Sequence, residues 1–119
     1  MISLTVHRVL FHLEEGSTFR GKLVMDNIAN LVDDLGEKNV QIELVVNSAG
    51  IKLFQRETSP VSSEVESLLQ RGVQVAMCRN SLRYYKFNER LFLDNVIFVD
   101  SCVGELVRKQ SEGWSYIKP

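Results

Sequence analysis

The sequence predicts an α/β domain with a mainly parallel five-stranded sheet and helices on both faces of that sheet. Three observations support this fold class. Apolar, β-branched segments alternate with segments whose apolar residues recur at helical spacing. Most of the strand-like segments are continuously apolar, which is typical of strands buried on both faces. Glycine and other small residues follow several of these segments, where a chain turns. The expected order is β-α-β-α-β-α-β-α-β, with right-handed crossovers between the strands.

The first three elements alternate clearly. β-Branched and apolar residues predict a strand over residues 2–13, and acidic residues with a glycine end it. Leucine, isoleucine and valine then recur at intervals of three and four, which predicts a helix over residues 19–35. Gly36 follows this helix as a natural C-terminal cap. A second apolar segment predicts a strand over residues 40–46, and a turn of small residues at 47–50 ends it.

A short loop or extended stretch is expected between the second strand and the second helix. Ser59 suits the N-terminal cap of that helix and Pro60 suits its first position, and the helix should stop at Gly72. Residues 73–77 form the third predicted strand, which places Cys78 at its end.

Four further elements complete the alternation. Asn80 and Ser81 can cap a third helix, and Asp100 and Ser101 can cap a fourth. One apolar strand precedes the fourth helix and another follows it. The four predicted elements cover residues 82–93, 96–99, 100–110 and 114–117.

Composition limits the classes of function. A chain of 119 residues is expected to form one domain over residues 1–119. The net charge of −1 provides no positive field to attract nucleic-acid phosphates. The apolar runs are far shorter than the roughly 20 residues that span a bilayer, and the amino terminus has no signal-peptide pattern. We therefore expect a cytoplasmic protein without nucleic-acid or membrane partners.

The two cysteines, Cys78 and Cys102, form neither a disulfide framework nor a zinc-site pattern, so no metal is expected. Both follow predicted strands at the carboxyl edge of the sheet, where ligands bind in open α/β folds. Cys78 is the candidate reactive residue, because a helix start and Arg79 both favour its thiolate. An inert, buried cysteine is the alternative. Asp100 opposes thiolate formation at Cys102, and a redox pair of the two sulfurs requires neighbouring strands.

Two other features are interpreted as unrelated to catalysis. Residues 16–22 match the glycine and lysine spacing of a phosphate-binding loop, but Leu23 stands where that motif needs serine or threonine. We interpret the match as chance, with a nucleotide hydrolase as the corresponding alternative function. His7 and His12 lie in the first strand without an evident catalytic partner, which indicates packing or surface roles.

Three segments resemble the DsrE/DsrF-like proteins of the YchN-like fold. They are IELVVNSAGIKLF at 42–54, LLQRGVQVAMCRNSL at 68–82 and VIFVDSCVGELVRKQSEGWSYIKP at 96–119. The most specific parts are G-V-x-V-x-x-C-x-N-S-L around Cys78 and the closing Q-x-E-G-W-x-Y-I-K-P. The resemblance implies a small α/β subunit that forms trimers or hexamers. It also implies relatives that relay sulfur as a cysteine persulfide in sulfur oxidation or tRNA thiolation.

The resemblance also assigns individual positions. Cys78 falls on the cysteine of the family, and Asn80 and Ser81 match the residues just after it. Asn47 and Gly50 match the small-residue turn that faces this cysteine. Where many relatives have histidine-glycine, this chain has Asn47-Ser48, so an imidazole is absent from that turn.

The leading hypothesis is a sulfur relay without a metal or organic cofactor. The Cys78 thiolate would accept a sulfane sulfur from a donor protein and pass it to an acceptor protein. The alternative is a non-catalytic oligomeric module that binds a small ligand or a partner protein at subunit seams. The residues expected to stabilise the anion and shape the pocket are Asn47, Ser48, Gly50, Arg79, Asn80, Ser81, Ser101 and Cys102.

Overall fold

A computed structural model describes residues 5–119 of the chain. The five strands are His7–Leu13 (β1), Val40–Val46 (β2), Gln74–Cys78 (β3), Ile97–Val99 (β4) and Ser115–Ile117 (β5). The four α-helices are Thr18–Leu35 (α1), Ser62–Gln70 (α2), Arg79–Tyr85 (α3) and Cys102–Ser111 (α4). Short 3-10 helices cover Glu37–Asn39, Ser48–Phe54 and Glu89–Leu91.

The five strands form one sheet in the order β4-β3-β2-β1-β5, and every neighbouring pair is parallel. This confirms the predicted fold class and the predicted alternation of strands and helices. The first four strands are laid down side by side in one direction across the sheet. The connection from β4 to β5 then crosses back over the whole sheet to the opposite edge.

This reversal decides which face each helix covers. Right-handed crossovers that advance in one direction place their helices on one face, and a crossover that returns places its helix on the other. Accordingly, residues of α1, α2 and α3 share one large core with alternate residues of the strands. Helix α4 covers the opposite face, where Leu106 packs with Leu10 and Val45 in a second, smaller core. Cys78 and Cys102 belong to this second core.

Two predicted helix caps are present. Gly36 closes α1 with its N–H on the Val32 carbonyl. The Ser101 hydroxyl accepts from the Gly104 N–H at 3.1 Å and so fixes the start of α4. The start of α1 has a cap of the same kind, since the Ser17 hydroxyl accepts a hydrogen bond from the N–H three residues later.

The predicted start of the second helix is wrong. Helix α2 begins at Ser62, three residues after Ser59, and Val61 occupies its N-terminal cap. The Ser59 hydroxyl donates to the Leu53 carbonyl at 2.6 Å and accepts from the Val61 N–H. Ser59 therefore ties the preceding 3-10 helix to a turn, and this 3-10 helix, Ser48–Phe54, replaces the expected loop or extended stretch.

The third helix is present, but its predicted bounds and N-terminal cap are wrong. Helix α3 has seven residues, Cys78 occupies its N-terminal cap, and Asn80 and Ser81 lie in its first turn. Lys86 ends the helix in a left-handed conformation with φ of 61°. At the start of the chain, β1 begins at His7, and residues 2–4 of the predicted first strand lie outside the described residues.

None of the helices in the described part of the chain has the length and apolar character needed to cross a membrane.

Gly50 provides a test of the packing that joins β1 to the turn after β2. A Cβ atom at this position would lie 2.7 Å from the Leu13 carbonyl oxygen and 3.3 Å from the Glu14 Cα, and backbone cannot give way easily. We expect Gly50→Ala to lower the free energy of unfolding by about 1–3 kcal/mol in urea denaturation.

Gly104→Ala is the matched control for this substitution. Its added Cβ meets the flexible end of Arg108 at 3.1 Å, and alanine is favoured within a helix. Its stability should be unchanged or slightly higher. Equal losses in the two variants would contradict the packing argument.

Candidate functional site

The two cysteines meet where the chain changes faces. The segment after β3 leads into α3 on the face of the large core, and the segment after β4 leads into α4 on the opposite face. Neighbouring parallel strands whose outgoing segments diverge in this way leave a crevice at their carboxyl ends, and ligands bind there in open α/β sheets. Cys78 ends β3 and Cys102 begins α4, so both lie at this crevice.

A backbone donor on α4 points at the sulfur of Cys78. The Cys102 N–H lies 3.4 Å from the Cys78 Sγ and donates a hydrogen bond to it. This N–H belongs to the first turn of α4, where amide groups have no partner within the helix. The Cys78 side chain is 4% exposed, so this bond is shielded from bulk water.

Ser81 links the sulfur to the turn after β2. Its hydroxyl accepts a hydrogen bond from the Ser48 N–H at 2.7 Å and also lies close to the Cys78 sulfur. The hydroxyl can therefore turn its own hydrogen toward the sulfur. Because the hydroxyl is polarised by the Ser48 N–H, it becomes a stronger donor. Ser48 takes a positive φ of 52° at this turn.

These donors shift the acidity of Cys78. Burial raises the pKa of the thiol, but the Cys102 N–H, the Ser81 hydroxyl and the N–H groups of Ser81 and Asn80 more than offset it. The pKa of Cys78 therefore lies below its ordinary value, which increases the thiolate fraction at neutral pH.

Cys102 has the opposite character. Burial raises the pKa of its thiol to about 12, and the negative charges of Cys78, Glu14, Glu105 and Glu43 add to this effect. Asp100, which the sequence suggested as the opposing charge, is instead paired with Arg79. Cys102 is therefore a protonated thiol that supplies its backbone N–H, and both cysteines are free.

Arg79, which was expected beside the thiolate, is paired with two carboxylates in the structure. Its Nε donates to Glu89 at 2.9 Å, and its NH1 donates to Asp100 at 3.2 Å. Two carboxylates thus engage the guanidinium, and the main groups that lower the pKa of Cys78 are the backbone and hydroxyl donors described above. The Asn80 side chain also faces away from the site, since its carbonyl oxygen accepts a hydrogen bond from Arg83.

His12 belongs to the site, although the sequence indicated no partner for it. The buried imidazole contacts Tyr116 of β5 through Nδ1 at 2.6 Å and Asn47 through Nε2 at 2.8 Å. Its Nε2 also lies 3.9 Å from the Cys102 Sγ. The Asn47 Oδ1 carries no hydrogen, so the Nε2 of His12 donates to it. In the neutral ring, Nδ1 then accepts a hydrogen bond from the Tyr116 hydroxyl.

The turn residues predicted for the site have separate roles. Asn47 contacts His12, which lies near Cys102. Ser48 contacts Ser81, which lies near Cys78. Gly50 donates its N–H to the Glu14 and Asn47 carbonyls and packs against the end of β1. Gly50 therefore supports the turn without pointing a group at the sulfur.

The segment that matches a phosphate-binding loop has no loop in the structure. Helix α1 already begins at Thr18, so Gly21 and Lys22 lie inside the helix. Gly21 is buried, and a Cβ there would come within 2.8 Å of the Leu53 side chain. Its small size serves helix packing, which agrees with the chance match inferred from the sequence.

Residues 5–119 contain no metal-binding cluster, and a cleft elsewhere on them lies away from the cysteines. No three histidine, cysteine, aspartate or glutamate side chains converge there to hold a metal ion. A cleft of about 580 Å³ lies near Val65 of α2 and Gln74 of β3, at the amino end of β3. None of the residues that line this cleft belongs to the cysteine site, which lies at the opposite end of the strand.

Comparisons with known proteins give the following matches. A model of the DsrE/DsrF-like family matches residues 11–119. The structure of a protein of unknown function, MTH1491 from Methanobacterium thermoautotrophicum, is similar with a TM-score of 0.89 and 39% identity, over 95% of this chain and 99% of that chain. The crystal structure of the ychN protein from E. coli is similar with a TM-score of 0.78 and 14% identity, over 97% of this chain and 100% of that chain. This second likeness shows the fold. No curated protein has a significantly similar sequence.

The contribution of Ser81 to the acidity of Cys78 can be measured. We expect Ser81→Ala to raise the pKa of Cys78, because a polarised hydroxyl near the sulfur is lost. Alkylation of Cys78 by iodoacetamide at neutral pH should slow by about threefold, which corresponds to roughly half a pKa unit.

Ser111→Ala serves as the control for this measurement, since the Ser111 hydroxyl bonds to the Val107 carbonyl at the far end of α4. Its alkylation profile should match that of the wild-type protein. A Ser81→Ala profile that also matches would exclude the hydroxyl as a source of the low pKa.

Proposed function

The chain belongs to the DsrE/DsrF-like family, and on that premise we propose that it carries sulfur as a persulfide on Cys78. The observation that carries the proposal is the hydrogen bond from the Cys102 N–H to the Cys78 Sγ at the crevice of the sheet. A sulfur that receives a backbone donor and has a lowered pKa has the thiolate character that nucleophilic attack requires. The donor and the acceptor of the sulfur are proteins in this proposal.

The transfer requires no net oxidation. The Cys78 thiolate attacks the outer sulfur of a donor persulfide, a new S–S bond forms, and the former S–S bond of the donor breaks. The donor leaves as a thiolate, and Cys78 holds the outer sulfur as a persulfide. Attack on this outer sulfur by an acceptor thiolate reverses the roles and releases the Cys78 thiolate. The Cys102 N–H stabilises that leaving thiolate as it does the nucleophile.

Neighbouring groups keep the second thiol out of this exchange. The raised pKa of Cys102 keeps its sulfur protonated at neutral pH, so it competes poorly as a nucleophile. Beside this thiol, His12 of β1 contacts Asn47 after β2 and Tyr116 of β5. The reducing cytoplasm is the compartment that this chemistry needs, because free thiols persist there.

We propose further that copies of this chain associate as a trimer or hexamer through the face covered by α4. Val103 and Val107, one helical turn apart, are 64% and 58% exposed. Beside this helix, β5 is an edge strand of three residues, and its Ile117 is 39% exposed. Exposed apolar residues next to an unpaired strand edge are typical of an interface. This surface would also serve the alternative function, a non-catalytic module with ligands at subunit seams.

A persulfide donor tests sulfur transfer directly. After incubation with glutathione persulfide and removal of the reagent, we expect intact-mass measurement to show a gain of one sulfur atom. Peptide fragmentation should place it on Cys78. The Cys102→Ser variant should retain the adduct, because its backbone N–H remains in place.

The Cys78→Ser variant controls for sulfur bound elsewhere and should show no mass gain. An unmodified wild-type protein, or an adduct that persists in Cys78→Ser, would refute the relay. The non-catalytic module would then be the better account of the fold.

The proposed interface predicts a change in mass. We expect the double variant Val103→Lys, Val107→Lys to elute as a monomer in size-exclusion chromatography with light scattering, because charge is costly at an apolar contact. The control Ser67→Lys, on an exposed position of α2, should keep the mass of the wild-type assembly. A wild-type protein that is itself monomeric would overturn the proposal.

A further inference from the structure

A buried acidic pair lies between the sheet and α4. Glu43 is in the middle of β2, on the face that α4 covers, and is 1% exposed. Glu105 of α4 is 8% exposed and is its nearest acidic neighbour. Carboxyl groups are rarely buried to this extent unless a partner compensates for the lost hydration.

Glu43 has no adequate donor if it is ionised. With both glutamates ionised, neither carboxyl oxygen of Glu43 has a hydrogen-bond donor among the described residues. The nearest cation, the Lys109 Nζ, lies 3.8 Å from Oε2, whereas charge-assisted hydrogen bonds are about 2.7–2.9 Å long. Lys109 is instead positioned over the Trp114 ring, 4.7 Å from its centroid.

Within residues 5–119, the other groups packed around Glu43 offer it no further charge. Its register partner on β1 is Leu10 and its register partner on β3 is the uncharged Gln74. Arg8 of β1 donates to the Glu112 carbonyl at 2.6 Å. On α4, Arg108 reaches the outer side of Glu105 at 3.3 Å. Glu105 is therefore the group that faces Glu43 with an unused acceptor.

We propose that Glu43 and Glu105 share one proton at neutral pH, and that this proton holds α4 against the sheet. A protonated Glu43 becomes a donor to the Glu105 carboxylate, which satisfies both buried groups with one hydrogen bond. Glu105 keeps its negative charge, and Arg108 and Lys109 balance that charge on the same helix. Without the proton, two carboxylates would be buried side by side.

The acidities agree with this arrangement. Burial raises the pKa of Glu43 to about 8, and the hydrogen bond and charge of Glu105 add to the increase. The hydrogen bond from Glu43 lowers the pKa of Glu105. Between the unfolded pKa of 4.5 and about 8, the folded chain therefore holds one more proton than the unfolded chain. Stability from this site must fall as the pH rises through that interval.

The consequence for the cysteine site is positional. Helix α4 carries the Cys102 N–H that donates to Cys78, so Glu43 and Glu105 act as positioning residues for that donor. The inference concerns how α4 docks and remains valid whether or not Cys78 carries sulfur.

Infrared spectroscopy of the full chain tests the shared proton. At about pH 6.5 the carbonyl stretch of a protonated carboxylic acid should be present, because ordinary carboxyl groups are ionised there. The band should vanish as the pH rises through about 8, and it should be missing at every pH above about 6 in Glu43→Gln. A wild-type spectrum without the band would overturn the proposal, even if the variant fails to fold.

Thermal unfolding tests whether the shared proton stabilises the packing of α4 against the sheet. Between about pH 5.5 and pH 8.5, the Tm of the wild-type protein should fall by about 12 °C relative to that of Glu43→Gln, whose amide cannot ionise. The control Glu66→Gln, at an exposed position of α2, should follow the wild-type curve. Equal pH slopes in the wild-type protein and in Glu43→Gln would overturn the proposal.

Thiol labelling tests the same hold locally. Two proteins are compared at about pH 9: the single variant Cys78→Ser, and the double variant that carries Glu43→Gln as well. Labelling of Cys102 should be about fivefold faster in the single variant, because its ionised glutamate loosens α4. Equal labelling rates would contradict the proposal.

Discussion

The handedness of the strand connections determines where the helices and Cys78 of this chain lie. Three right-handed crossovers advance from β1 to β4, and the fourth returns across the sheet to β5. That single reversal places α4 alone on one face, away from the other three helices. It also separates the segments that follow β3 and β4 and opens the crevice where Cys78 lies. The position of the cysteine thus follows from topology before any side chain is considered.

The acidity of Cys78 depends on both faces of the sheet. Helix α3, on the face of the large core, supplies Ser81, and α4, on the other face, supplies the Cys102 N–H. Burial works against the thiolate, so these donors must be held accurately to reverse its effect. The buried Glu43 and Glu105 lie where the sheet packs against α4, the helix that carries the Cys102 N–H. The small core around Leu10 and Leu106 therefore has a chemical role as well as a structural one.

The sequence predicted features that depend on neighbouring residues, such as strands and helix caps. It did not predict contacts that depend on which strands pair. The apolar segments located all five strands, and Gly36 and Ser101 marked helix ends through hydrogen bonds to nearby residues. The packing role expected of His12 agrees with the structure, but its partners could not be identified, because they lie beside β2 and on β5 and the order of strands in space is not written in their order along the chain. Two signals were present: a histidine between Phe11 and Leu13, and a glutamate within the apolar segment of β2. A polar residue in a buried strand needs a partner, and that requirement could have directed attention to both.

The order of the elements along the chain has a consequence for biosynthesis. A ribosome delivers β3, with Cys78, before it delivers the helix whose first turn donates to that sulfur. During this interval the thiol lacks the donor that favours its ionised form. The donor reaches the sulfur only when α4 crosses to the far face and docks. The lowered pKa is thus a property of the completed topology, and a partly synthesised chain does not have it.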